Sequence, residues 1–316
     1  MPREELVDPA PMQIHFPQEP FTTAHAETLG ISRKRLMCAT ADGALRRVLR
    51  GVYVPHGLPD TIELRAACTS LVVAPGAVVR DRTAAWIHGV DVLTHTEHEV
   101  LPSVETCVPR FRAPSDRVGV DGGTRDLAPG DVMSVHGILV TTPLRTALDL
   151  GCNLRRRDAL AALDQFMAVH GLTREEMGRS AVRYFRRRGV VQLRRLIPLA
   201  DARAESPRES WTRLEIIDAG LPVPTLQHWI EIDGVPTYRL DHAYPRHRVA
   251  VEYDGEDFHD RTEGQRKHDR ERRAWLEDDR WTVVIVRKGD FAGAGSDRWL
   301  GELRRALQPT YTNRRW

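Results

Sequence analysis

Lysine is nearly missing from this sequence. Lys34, Lys267 and Lys288 are the only three among 46 basic residues, and the rest are arginine. With abundant alanine, valine and glycine, that bias is the composition of a GC-rich bacterial genome, and it weakens any argument built on a single arginine. Cysteine is equally sparse. Cys38, Cys68, Cys107 and Cys152 stand singly, with no Cys-x-x-Cys pair, so neither a structural zinc site nor a disulfide framework is expected, and all four thiols are predicted to be buried. No apolar run approaches the roughly 18 residues that a membrane span needs. The first twenty residues contain acids and prolines and lack the apolar core of a signal peptide, so no membrane role and a cytoplasmic location are expected. A charge excess is missing too. The net charge of +2 announces no polyanionic partner, and any such partner must be argued from where the charges sit.

The chain has 316 residues, enough for two or three domains. By pattern it divides into residues 1–58, 59–200 and 201–316, the last beginning at the linker-like Asp201–Pro207. In the first stretch Thr22 or Thr23 caps a short helix ending at Leu29-Gly30. Ile31 turns inward, and Ser32 caps a second helix through Arg33, Arg35 and Leu36. Leu45–Val54, interrupted at Arg50-Gly51, reads as a two-stranded wing. That spacing is helix-turn-helix, with Arg33, Lys34 and Arg35 opening the recognition helix and Arg46, Arg47 and Arg50 on the wing. Residues 21–55 hold these six basic residues against only Glu27 and Asp42, which places positive charge where phosphates of double-stranded DNA would lie. A small helical subdomain with a solvated basic face is the bland alternative.

Thr22-Thr23-Ala24, Gly30-Ile31-Ser32-Arg33 and the run Leu45–Val54 together resemble the winged helix at the front of AbiEi-type antitoxins. The resemblance extends through Arg82–Gly89 and Thr141–Leu150. It implies a protein that represses a promoter and has a toxin partner encoded nearby. The rest of the middle region is predicted to mix helices and strands. Pro143 at a first helical position opens a helix bearing Leu144, Ala147 and Leu148. His88, His95 and His98 are expected to be ordinary surface histidines. Arg179–Arg195 carries seven arginines and no acid. It reads equally as a phosphate-tracking segment and as a helix pair with its arginines in solvent.

The sharpest chemistry lies between residues 237 and 259. Two β-rich runs flank Pro245–Arg248, so a hairpin brings Asp241 near Glu252, with Glu252 and Asp254 on one face of the second strand. Carboxylates so grouped repel one another unless a cation sits among them. That is the chemistry of a phosphodiesterase using Mg2+ (or Mn2+) to polarise a phosphate and acidify water. Gly255 permits a turn, and His259 follows as a general base or leaving-group stabiliser. Thr262 and Gln265 fit a capping box at the start of a helix carrying Lys267, Arg272 and an Asp269–Arg273 pair. Trp281–Val286 then reads as a buried strand. Upstream, Glu209 sits on a helix ending at Gly220.

This order of elements, with Glu209, Leu240–Pro245, Val249–Gly255, His259, Asp269 and Arg273, makes residues 206–290 similar to very-short-patch-repair-like endonucleases, a branch of the PD-(D/E)xK restriction-endonuclease fold. The resemblance implies metal ligation by Asp241, Glu252 and the carbonyl of Tyr253, supported by Glu209. One departure stands out. The lysine expected two residues after the glutamate is Asp254, with His259 as the substitute and Lys267 a weaker one. A domain that binds DNA without cutting it is therefore an alternative. The expected fold class is α/β (α+β multidomain): a winged helix-turn-helix, a mixed middle region, and a nuclease-like domain whose central mixed sheet is flanked by helices.

Overall fold

The computed structural model describes residues 15–94, 97, 102–255 and 263–308, with the side chains of residues 263 and 265–269 outside that description. The architecture is mixed α/β, with three sheets among the described residues. The chain forms two compact units: Met1–Gly89 with Leu93–Thr142, and Val90–Val92 with Pro143–Trp316.

The first unit begins with β1 (Phe21–Thr22), α1 (Thr23–Thr28), α2 (Arg33–Ala41), β2 (Leu45–Leu49) and β3 (Val52–Pro55). The Thr22 hydroxyl accepts the His25 amide at 3.1 Å, and the Ser32 hydroxyl accepts the Arg35 amide at 3.4 Å, so both helices start where capping chemistry places them. Gly30 takes a left-handed φ of +74°, which lets Ile31 turn back into the core with Phe21, Ala26, Leu36, Ala39 and Leu45. The strand order β1-β3-β2 adds a third strand to the predicted wing. The wing's inner side chains Val48, Leu49, Val52 and Val54 pack with Cys68 and Val104. These belong to α3 (Ile62–Ser70) and β5 (Val104–Val108), so the hairpin is seated rather than free.

The unit continues with β4 (Val78–Val79), α4 (Asp81–Ile87), β6 (Val120–Thr124), β7 (Val132–Val135) and β8 (Ile138–Thr141). The five-stranded sheet runs β6-β5-β4-β8-β7. Asp81 opens α4 with φ +49° while almost fully buried. It is held there by ion pairs to Arg80 and to Arg125, the latter at 2.8 Å, partners strong enough to keep a non-glycine residue in a costly conformation.

His88 and two of the four thiols depart from their expected places. His88 is buried rather than a surface residue, its Nε2 lying 2.7 Å from the Thr141 carbonyl; His95 and His98 fall outside the described residues. Of the four thiols only Cys68 and Cys107 are buried. Cys38 is exposed because α2 turns Leu36 and Ala39 inward, which leaves position 38 on the solvent side, and Cys152 is half-buried.

The second unit opens with four helices: α5 (Pro143–Asn153), α6 (Arg156–His170), α7 (Arg174–Ala181) and α8 (Val190–Leu196). Pro143 occupies a first helical position, as predicted, and Ala147, Leu148 and Leu150 are buried. Within the arginine-rich stretch Tyr184, Val190 and Leu193 turn inward, whereas Val182, Phe185 and Val191 are exposed among Arg183, Arg186, Arg188, Arg194 and Arg195. Gly189 precedes α8 with φ +80°, and a Cβ there would meet the Cys152 carbonyl oxygen at 2.1 Å. Gly189→Ala is therefore expected to cost about 2 kcal/mol of stability, read by urea denaturation; an unchanged midpoint would refute this account of the turn.

After these come α9 (Pro207–Asp218), β9 (Thr225–Ile232), β10 (Val235–Tyr244), β11 (Val249–Asp254), α10 (Glu263–Asp278), β12 (Thr282–Arg287) and α11 (Gly293–Ala306). The sheet order is β12-β11-β10-β9. β11 pairs with β12 in parallel because α10 carries the chain across the sheet between them, while β9, β10 and β11 pair antiparallel. One face packs Val249, Val251 and Val286 against Ile216 of α9 and Trp299 of α11; the other packs Ala250 and Ile230 against Leu276 of α10. Among the described residues, no helix is long and apolar enough to cross a membrane.

Candidate functional site

Two sets of residues carry the predicted chemistry, one in each unit. In the first unit Arg33, Lys34 and Arg35 are all exposed on the opening turn of α2. Arg33 is tied only by a solvent-facing pair with Glu27 at 3.0 Å, a contact worth little against a phosphate. Arg47 and Arg50 are exposed on the wing, and the stem of Arg50 lies against Gly119. Arg46 departs from the predicted set. It is half-buried and its Nη2 donates to the Leu58 carbonyl at 3.0 Å, so it fastens the wing to its own unit.

In the second unit the hairpin register places His242 opposite Val251, which sets Asp241 beside Glu252, as the turn at Pro245–Arg248 predicts. Asp241, Glu252, Tyr253 and Asp254 line a cleft of about 360 Å3 with Trp229, Arg239, Arg272 and Arg273. The hairpin acids are answered by two consecutive arginines of α10. Arg272 grips both oxygens of Glu252, one bond being Nη1 to Oε2 at 3.0 Å, and its Nη2 also donates to the Arg239 carbonyl at 3.1 Å. Arg273 reaches Asp254 at 3.6 Å. The predicted pairing of Arg273 with Asp269 involves a side chain outside the described residues, as do His259, Thr262 and the Lys267 side chain.

Glu209, predicted to support a metal, is buried in a hydrogen-bond network at the start of α9. Its carboxylate accepts the Glu205 amide (3.0 Å), the Ser206 hydroxyl (2.9 Å) and Gln227 Nε2 (2.8 Å). Those bonds make it part of the helix cap. His242, fully buried, links this cap to the sheet. Its ring nitrogens face the carbonyl oxygens of Glu209 and Val251 at 3.1 and 3.3 Å. Burial pushes its pKa down to about 4, so the ring is neutral and donates to one carbonyl at a time.

Asp241 is biased towards its neutral form. Burial first, then the negative charges of Glu209 and Glu252, push its pKa up to about 7, against the pull of Arg272 and of the Tyr253 backbone amide, which donates to it. It is the amide of Tyr253, not its carbonyl, that touches this carboxyl. Because the folded-state pKa lies above the unfolded one, Asp241 favours the fold when protonated, below about pH 4, and that contribution is lost as pH rises through about 7. Asp241→Asn is therefore expected to stabilise the protein at about pH 8 by on the order of 2 kcal/mol, a gain that disappears towards about pH 4. Denaturant titrations at the two pH values check it, and a gain independent of pH would contradict the assignment.

In this arrangement two of the acids are already engaged. Glu252 is engaged by Arg272 and Glu209 by the cap, and among the described residues no group of three or more His, Cys, Asp or Glu is placed to hold a metal ion. What the cleft offers instead is an arginine-rimmed pocket. The guanidinium of Arg239 lies 5.7 Å from the ring of Trp229, half of whose surface is open to solvent. Sequence reasoning missed Arg272 because a helix arginine among five basic residues carries no mark of its partner across the sheet.

Residues 76–199 match the AbiEi antitoxin C-terminal domain family. The match ends before α9, so the nuclease-like reading of the C-terminal sheet rests on the cleft alone. Over 257 residues the chain is 34% identical to two uncharacterized proteins of Mycobacterium tuberculosis, MT2308 of strain CDC 1551 / Oshkosh and Rv2248 of strain ATCC 25618 / H37Rv. The aligned part covers 81% of this chain and 90% of each relative. The chain belongs to the family of these mycobacterial proteins, and its residues 76–199 are similar to the AbiEi antitoxin C-terminal domain.

Proposed function

We propose that this protein is a cytoplasmic, DNA-binding transcriptional regulator of the antitoxin type, which docks double-stranded DNA through α2 and the wing and answers to a toxin partner encoded nearby. The observation that carries the reading is the exposure of Arg33, Lys34, Arg35, Arg47 and Arg50 around a capped helix-turn-helix, in a chain that also contains an antitoxin-type domain. A helix opened by three cations meets phosphates at the groove edge, and a seated wing supplies a second contact. The test is fluorescence anisotropy with duplexes from the protein's own upstream region across a salt series. Binding that weakens steeply with salt and prefers one upstream sequence supports the regulator; no binding at low salt would remove it.

A second reading is favoured by Asp241, whose carboxyl is pushed towards neutrality by burial and then by two neighbouring acids in an arginine-rimmed cleft. In that reading the second unit is a PD-(D/E)xK-like phosphodiesterase requiring Mg2+ (or Mn2+), with Asp241, Glu252 and Tyr253 as metal ligands and Asp254, Glu209 and His259 in support. It requires Arg272 to release Glu252 first. Nicking of supercoiled DNA that is lost both in EDTA and with Glu252→Ala would favour it over the regulator alone.

A further inference from the structure

The acid pocket already contains a cation, and it comes from the chain itself. Arg272 is largely buried, as is Glu252. Its fork engages both oxygens of Glu252, and a further bond to the Arg239 carbonyl anchors the guanidinium to β10, the strand that carries Asp241. A bidentate guanidinium–carboxylate pair uses the same carboxylate lone pairs that a metal would need. Arginine also cannot neutralise itself, so the pair is not undone by deprotonation. The neighbouring acids are engaged as well: Asp241 takes the Tyr253 amide, Asp254 faces Arg273 at 3.6 Å, and Glu209 takes three donors of its own cap.

We infer that Arg272 is the resident cation of this cleft and excludes divalent metal from it by occupying Glu252. A divalent ion entering the pocket would leave the guanidinium desolvated without a carboxylate, which is the costly way to break a buried pair. The pocket is thus locked by α10, and metal chemistry is available only if that helix gives up its hold on β11.

The experiment is a titration of the full-length chain with Mn2+ alone, following free Mn2+ by electron paramagnetic resonance, for wild type, Arg272→Gln and Arg272→Gln with Glu252→Gln. The lock requires Arg272→Gln to bind one ion at least about tenfold more tightly than wild type, equivalent to about 1.4 kcal/mol, and the double substitution to lose that gain. Equal Mn2+ binding by wild type and Arg272→Gln, at any affinity or none, overturns it, as does a gain that survives Glu252→Gln. Should circular dichroism show that Arg272→Gln does not fold, Arg272→Lys carries the test. It keeps one charge but loses the fork, so tighter Mn2+ binding than wild type is again required and equality again overturns the lock. DNA binding through α2 is not read by this titration, so a failed lock leaves the regulator standing.

Discussion

Replacing Arg33, Lys34 and Arg35 together with alanine is expected to weaken duplex binding by about 100-fold near physiological salt, and to flatten the plot of log affinity against log salt by about 2–3. All three side chains are exposed at the start of α2 and none supports the core, which is built from Ile31, Leu36 and Ala39. The fold should survive the change, since surface substitutions away from caps and cores shift stability little. The Ser32 cap must be left in place, because its loss would fray the helix and confuse the two effects. Arg46→Ala is the internal control. Its guanidinium holds the Leu58 carbonyl, so it should lower stability more than it changes the salt slope. A triple variant that binds as tightly as wild type, with an unchanged slope, would remove α2 from the DNA-facing surface.

The largest expected effect on stability is at Arg213. Its guanidinium pairs with Asp164 and donates to the Leu199 carbonyl, and both charged side chains are closed to solvent. Asp164 on α6 also accepts the Ser210 hydroxyl at 2.6 Å and the Asp201 amide at 2.7 Å, so one carboxylate ties α6 to α9 and to the segment before it. Arg213→Met leaves that carboxylate buried and short of its counter-charge, and should cost about 3–5 kcal/mol. Pairing it with Asp164→Leu removes the orphaned charge and is expected to recover most of the loss, because a packed apolar pair can replace a buried ion pair. Denaturant unfolding followed by tryptophan fluorescence reads both. A single substitution costing under about 1 kcal/mol, or a double one no better than the single, would show that the pair does not hold these helices together.

Local chemistry was written plainly in the sequence wherever one or two neighbours decide the structure. Thr22, Ser32 and Gly30 fixed the ends of α1 and α2, the Arg50-Gly51 break fixed the wing, and Pro143 fixed the start of α5. Pro245–Arg248 set the hairpin register that brings Asp241 to Glu252, because strand alternation leaves few ways to pair two such runs once the turn is known. The order helix, hairpin, helix, strand was legible for the same reason, whereas β9 was not among the predicted elements. Each element announces its own period and its own stops.

What the sequence did not disclose were the partners chosen across the fold. Nothing local distinguishes Arg272, which grips Glu252, from Arg46, which fastens the wing, or from Arg33, which faces solvent. His88 reads like any loop histidine until Thr141 closes over it, and nothing near Glu209 in the sequence announces Gln227, which donates to it from β9. Hydrophobic period, caps and turns are short-range properties that a sequence by itself determines. Whether a charge ends beside water, a phosphate or a carboxylate depends on which distant side chain packs against it and how dry the contact becomes, and only the tertiary structure decides that.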